Sequence, residues 1–417
     1  MGFKSLDLTE IPAGTMKLPE EERRKIYQGI TRVLEAGQEP KTAPDLGSKA
    51  SIDWGTELCV ILYFAFVLGV PLFMVPIGIV LLACGKFFWF AVFLLFVVGQ
   101  VLIPLDTKTA PLQWRKSAFL AHLFRYFSFK VIWDEEAEPF FKVPGVGSGG
   151  PHGVFPFGAL LSVPVMNEIL NINFVGAAAS VLFRAPGLRF LVSIGVIDVS
   201  KKTIKKAVDR GTVVGVVSDG INGMFAGATS KENVEVLAIE DKKGLAKLAL
   251  QEGCQLGIVH WFGNSAALTP VSAWSQLLGD AWHAYVWRCG ASHSCWVWYQ
   301  IVDPFGICKK LSRSLRMSLM LFRGRWHTCL PPLARLSVRE TNNNWNLHRF
   351  FLPIPHRQPI LMAISKPIVI KEKVANPTQS QIDEVHAQMV KAHQDLFEKI
   401  KPFYGEPYAS KELLITS

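Results

Sequence analysis

The chain has 417 residues, enough for one large domain or two smaller ones. Half of the residues are hydrophobic, the mean hydropathy of +0.25 is high for a soluble enzyme, and the formal charge is +10. No basic cluster is interleaved with stacking aromatics, which argues against nucleic acid and leaves membrane lipid or a phosphorylated co-substrate as partner.

Residues 1–50 are polar and charged and read as a cytosolic tail. They hold one helical run near Glu20–Glu35 and a Pro40–Ser48 linker, and no signal peptide is expected. Residues 51–106 read as a membrane hairpin. From Leu58 to Leu105 the only charge is Lys86, and a helix of that length reaches roughly 70 Å, twice the hydrocarbon thickness. Gly85-Lys86 is a candidate turn, and Pro71 and Pro76 are candidate kinks. Basic residues on both flanks (Arg23, Arg24, Lys25 before; Arg115, Lys116, Arg125 after) predict that both face the cytosol. A re-entrant hairpin that never crosses fits the same pattern. The seven cysteines are unevenly spaced, and Cys59 and Cys84 lie inside the apolar block, which suits reduced thiols rather than a disulfide framework.

Residues 107–410 follow as one α/β domain. Pro111–Phe129 is amphipathic, aromatic and basic, suited to a membrane surface. Strands are expected at Asn173–Ala179, Thr212–Val217, Val234–Ile239 and Gln255–Val259. Helices are expected from an N-cap at Ser200 through Arg210, and over Lys243–Gln251. This alternation predicts a mainly parallel sheet covered on both faces. Thr378 and Gln381 form a capping box before a stripe of Ile382, Val385, Met389, Leu396 and Ile400, read as core packing. Two irregular stretches, near 273–302 and 328–350, lack any period and read as insertions extruded from the core or as unspliced sequence. The first holds five of the 12 tryptophans, which also suits a membrane interface.

The motif with most chemical content is Pro151-His152-Gly153-Val154-Phe155-Pro156. Proline and glycine clamp the histidine by backbone, and little nearby carries charge except the imidazole. Beside a membrane segment, such a histidine suggests proton transfer on a lipid substrate; the plain alternative is a turn residue. Gly145-x-Gly147-x-x-Gly150 matches a dinucleotide pattern by letter only, because no strand–turn–helix context is expected there. His283, Cys289, His293 and Cys295 fit no standard zinc spacing, so no metal site is expected.

Taken in order, the apolar hairpin, this motif, Phe183–Arg189, Asp198-Val199-Ser200, Lys242–Leu250 and Trp261-Phe262-Gly263-Asn264 resemble the type-2 diacylglycerol acyltransferase family. Gly324-Arg325-Trp326, Leu352-Pro353-Ile354-Pro355 and Asn376-Pro377-Thr378 continue the likeness. The resemblance implies a glycerolipid-acyltransferase-like α/β domain behind a membrane hairpin. It implies acyl transfer from acyl-CoA, as co-substrate and with no bound cofactor, to a neutral-lipid hydroxyl. Diacylglycerol is the expected acceptor; monoacylglycerol, a wax alcohol or an inactive membrane scaffold are the alternatives. His152 is implied as the base in the loop begun by Pro151, with the N–H groups of Gly153 and Val154 facing the oxyanion. Arg184, Arg189, Lys242 and Lys243, with Gly263 and Asn264, are implied to bind acyl-CoA or substrate. The expected location is the endoplasmic reticulum membrane, with lipid droplets as a second site, and a homo-oligomer is left open. The chain departs from the family at Gly150, where a second histidine is usual, and at Gly223, where an acid is expected. It departs again in Pro144–Gly149, which stands where a strand is expected. No acid partner for His152 is evident.

Overall fold

The computed structural model describes residues 2–12, 14–34, 46–102, 117, 119–183, 195–229, 233–271, 321–323 and 354–417. The segment expected as a tail is instead part of the sheet. Strand β1 (Phe3–Asp7) pairs antiparallel with both β2 (Thr31–Leu34) and β3 (Lys130–Asp134). Leu6 and Leu8 are buried there. The polar appearance comes from helix α1 (Glu20–Ile30), which exposes Glu20, Glu21, Glu22, Arg24 and Lys25. Its Arg23 turns inward to Glu168 at 2.6 Å, and both side chains are more than nine-tenths buried.

The apolar block forms two helices packed on each other, α2 (Trp54–Ala83) and α3 (Phe87–Leu102). The chain reverses between them at the expected place, with Gly85 at φ +64°. Val60 and Phe64, near the start of α2, are buried against α4 (Phe119–Tyr126) and the core. The far end is different: Ile79, Phe87, Phe88 and Trp89 are each more than 60% exposed. Among the described residues, which leave out the side chains of 65–76, no helix is long and apolar enough to cross a membrane.

The α/β domain then runs β4 (Gly145–Gly150), α5 (Phe157–Pro164), β5 (Phe174–Ala178), β6 (Val196–Asp198), α6 (Lys201–Val208) and β7 (Val213–Val217). It continues with α7 (Gly220–Thr229), β8 (Val234–Leu237), α8 (Gly244–Glu252), β9 (Gln255–Phe262), β10 (Thr269–Val271), β11 (Leu321–Arg323), β12 (Leu361–Ile364), α9 (Gln379–Tyr404) and β13 (Glu412–Ile415). The main sheet has nine strands in the order β2-β1-β3-β12-β9-β4-β7-β5-β6. From β9 to β6 all neighbours are parallel. Strand β8 belongs elsewhere, in a two-stranded sheet with β13.

The stretch before His152, too glycine-rich to read as a strand, is β4, fully buried between β9 and β7. Glycine weakens an isolated strand, but ladders on both sides satisfy its backbone, and small residues let helices and rings approach. One face of the sheet packs on α2, α4 and α5 and the other on α6, α8 and α9. The capping box forms, and the α9 stripe is buried as expected. Strands β10 and β11 pair antiparallel, so the chain leaves after Val271 and returns before Leu321 at adjacent points. Both expected insertions and the four dismissed zinc candidates lie outside the described residues.

Candidate active site

Strands β4 and β7 run side by side, with Gly149 level with Val217. His152 and Asp219 follow just beyond the carboxyl ends of these two strands, where open α/β sheets bind ligands. The His152 ring Nδ1 lies 2.7 Å from Asp219 Oδ1, and the His152 backbone N–H donates to Oδ2 at 3.1 Å. A carboxylate only accepts, so Nδ1 carries a proton, and the neutral form of the ring presents its lone pair at Nε2. That nitrogen has no partner among the described residues. His152 is 6% exposed and Asp219 fully buried. Asp219 also precedes α7, whose Gly223 N–H donates to its backbone carbonyl, and the helix N-terminus favours the negative charge.

Asp219 is the residue sequence reasoning missed. The available signal was an acid directly after an apolar buried strand, level with the end of the histidine's own strand. At Gly223, where an acid is expected, a side chain would collide with the Asp219 carboxylate. The carboxylate therefore stands one helical turn earlier and fills that space. At Gly150 a side chain would collide with Leu237.

The other expected residues divide into those brought to this loop and those not. Pro151 and Val154 are buried beside His152, and Gly153 has φ +57°. A Cβ on Gly153 would lie 2.8 Å from the Ser265 backbone, so only glycine fits. Neither the Gly153 nor the Val154 N–H has an acceptor among the described residues. Asn264 clamps the loop: its Oδ1 accepts from Gly158 N–H at 2.8 Å, and its Nδ2 donates to the carbonyls of His152 and Phe155. Gly263, at φ +82°, donates its N–H to the Tyr408 hydroxyl at 2.9 Å. Burial raises the pKa of that hydroxyl well above its usual value. Lys242 donates to the Asp219 carbonyl at 2.5 Å. Lys243 points away and pairs with Asp383 of α9 at 2.7 Å, both side chains more than 40% exposed. Arg184 and Arg189 lie outside the described residues.

A buried polar row backs the pair. His393 of α9 meets Ser148 Oγ at 2.8 Å, and Ser148 meets Ser218 Oγ at 2.7 Å. These serines stand four residues before His152 and one before Asp219. Burial lowers the His393 pKa to about 4, partly opposed by the charge of Asp219. His260, wholly buried with both ring nitrogens unpartnered among the described residues, is pushed well below its usual value by burial.

The chain is 24% identical over 265 residues to diacylglycerol O-acyltransferase 2 of Xenopus tropicalis, a match covering 61% of this chain and 60% of that protein. The human protein of the same name is also 24% identical, over 62% of this chain and 56% of its own length. The chain thus spans less than two thirds of these relatives. Human diacylglycerol O-acyltransferase 2-like protein 6 is 23% identical across 85% of this chain and 93% of its own. Among solved structures, the 1-acyl-sn-glycerophosphate acyltransferase of Thermotoga maritima is 10% identical, with a TM-score of 0.33 over 82% of this chain and 97% of its own. The family model for diacylglycerol acyltransferases matches residues 80–273 and 345–415, passing over the first irregular stretch and much of the second. That match takes in well over half of the chain and contains both His152 and Asp219, so the chain belongs to the diacylglycerol acyltransferase family.

Proposed function

We propose that this protein moves a fatty acyl group from acyl-CoA to the free hydroxyl of a neutral lipid, with diacylglycerol as the acceptor. The observation that carries the reading is the buried His152–Asp219 pair with Nε2 unoccupied. An alcohol is too weak an acid to ionise beforehand. His152 Nε2 takes its proton as the oxygen attacks the thioester carbonyl, an effect worth about 10²–10⁴-fold. The new C–O bond leaves an oxyanion, for which the N–H groups of Gly153 and Val154, without acceptors among the described residues, are the proposed donors. The C–S bond then breaks and His152 returns the proton to the departing CoA sulfur. Asp219 steadies the imidazolium between the two transfers.

Lys243 is the candidate for the CoA phosphates, since its exposed pair with Asp383 is cheap to exchange. Lys242 instead holds the start of α7 through the Asp219 carbonyl. Arg184 and Arg189 remain proposed phosphate ligands. The exposed apolar end of the α2–α3 hairpin supports attachment to a lipid surface, and the endoplasmic reticulum membrane, with the α/β domain on the cytosolic side, is the one proposed.

Membranes carrying the full chain, given labelled acyl-CoA and diacylglycerol, should form triacylglycerol. His152→Ala should remove at least about 99% of that activity and leave the protein membrane-bound. Retention of more than about a tenth would exclude His152 as the base. An inactive scaffold would show no acyl transfer from the wild-type chain.

A further inference from the structure

Beneath α9 the sheet changes character toward the end that carries the site. On that face β4, β7 and β9 present Val146, Val214, Leu256 and Ile258, all buried in one apolar cluster. Further along the same face come Ser148 on β4, Ser218 just past β7 and His260 on β9, all three buried. Wholly buried His393 of α9 lies 2.8 Å from Ser148 Oγ, which lies 2.7 Å from Ser218 Oγ. Ser218 Oγ in turn donates to the Val216 carbonyl at 3.4 Å. A carbonyl only accepts and each hydroxyl has one proton, so the donors run one way: His393 Nε2, Ser148, Ser218.

Such a row is a poor way to fill a core. Apolar residues of similar shape would serve stability as well, whereas a buried hydroxyl or imidazole needs a matching partner. Its place in the chain shows what else it does. Ser218 is tied to β4 twice, because its N–H donates to the Gly149 carbonyl at 2.9 Å and its hydroxyl meets Ser148. The strand register ends there, at Gly149 and Val217, and the segments beyond carry His152 and Asp219. The 2.7 Å between His152 Nδ1 and Asp219 Oδ1 therefore depends on how those two strand ends are held. Burial keeps His393 neutral, and Asp219 is near enough for its charge to oppose that effect.

We propose that His393, acting through Ser148 and Ser218, is a positioning residue: it locks the ends of β4 and β7 so that Asp219 keeps the His152 ring proton on Nδ1. The proposal rests on the reading of His152 as the base. The three side chains act through Asp219 and not on the substrate.

The test uses the full chain with labelled acyl-CoA and diacylglycerol. Ser148→Ala breaks the row by removing one oxygen atom, and His393→Leu breaks it while refilling the core with carbon. Both should lower kcat by about tenfold or more with KM within about twofold of wild type, since a misplacement of about 1 Å costs on the order of 10²-fold. His393→Gln, whose amide N–H can donate where Nε2 does, should stay within about threefold of wild type. Ile382→Ala is the control, because it takes packing from the same helix about three turns away and should keep the wild-type kcat. Wild-type kcat in both Ser148→Ala and His393→Leu would overturn the proposal. So would an equal loss in Ile382→Ala, which would tie activity to stability alone. In the Asp219→Asn background Ser148→Ala should cost nothing further, and a full additional loss would mean that the row does not act through Asp219. Should His393→Leu fail to fold, judged by thermal unfolding, Ser148→Ala carries the test. A wild-type chain that transfers nothing would sink the reading of His152 but not the positioning. In that case the nitrogen NMR shifts of isotopically labelled histidine, assigned with His152→Ala, decide. Ser148→Ala must then move the His152 proton from Nδ1 toward Nε2, and an unchanged tautomer overturns the proposal.

Discussion

At Asp219 one carboxylate meets two demands, accepting from the ring and from the backbone of His152 while standing at the N-terminus of α7. Asp219→Asn keeps the shape but places an amide N–H against Nδ1 in one of its two orientations, driving the ring proton to Nε2. The lone pair needed for catalysis is then lost. A drop in kcat of about 10²–10⁴ with little change in KM is expected. Steady-state kinetics within a few-fold of wild type would show that Asp219 does not orient the base. Gly223→Ala is a subtler probe, because its methyl group would occupy the carboxylate's position. We expect kcat to fall about tenfold or more, since proton transfer depends on hydrogen-bond geometry, while circular dichroism remains that of the folded protein. Full activity in Gly223→Ala would mean that Asp219 has room to move without consequence.

Helix α9 shows how one element serves both stability and the site. Its capping box, its buried stripe and its contacts with β9 settle it on the sheet. Met389 is fully buried, and Met389→Ala should cost about 2–5 kcal/mol in chemical denaturation. From the same face His393 reaches Ser148, and burial holds its pKa near 4 against an ordinary 6.5. As pH falls below 6.5 the unfolded chain takes up a proton that the folded chain refuses. Stability from this group is therefore complete above 6.5 and declines through pH 4, by about 3 kcal/mol in all. His260 acts in the same direction. Wild type should lose about 2 kcal/mol between pH 6.5 and 5 through His393, and His393→Asn should flatten that slope. Parallel slopes in the two proteins would remove His393 from the account.

For the whole molecule, the distribution of apolar surface is the main asymmetry. The start of α2 is tied into the core through Val60 and Phe64, while the hairpin's far end leaves Phe87, Phe88 and Trp89 exposed. Monomeric proteins rarely expose such contiguous apolar patches without a partner, and a lipid surface is the proposed one. Replacing all three by serine should lower recovery with floated liposomes by at least about tenfold, because each buried aromatic contributes roughly 1.5–3 kcal/mol. Unchanged flotation would place attachment elsewhere. The pairing of β10 with β11 bears on the irregular stretch near 273–302, since an excursion that leaves and returns at one place can be shortened without moving the core. Deleting 273–302 is accordingly expected to preserve folding and activity, and a chain that no longer folds would show the stretch to be structural.

Sequence alone determined whatever depends on local periodicity and composition. Two apolar helices reversing at Gly85, though not a membrane crossing, strands β5, β7 and β9, helices α6 and α8, and the capped C-terminal helix were legible, as was the proline and glycine clamp around His152. What it left undecided depends on partners distant in the chain. A run of glycines becomes a central strand only because β7 and β9 close ladders on both sides of it. Residues 3–34 leave the tail and join the sheet because β3, more than 90 residues later, offers β1 an edge. Asp219 lies 67 residues from His152, and only the parallel register of β4 with β7 makes their separation 2.7 Å. Local propensity acts over a few residues, whereas register and burial are set by strand neighbours, and these only the tertiary structure decides.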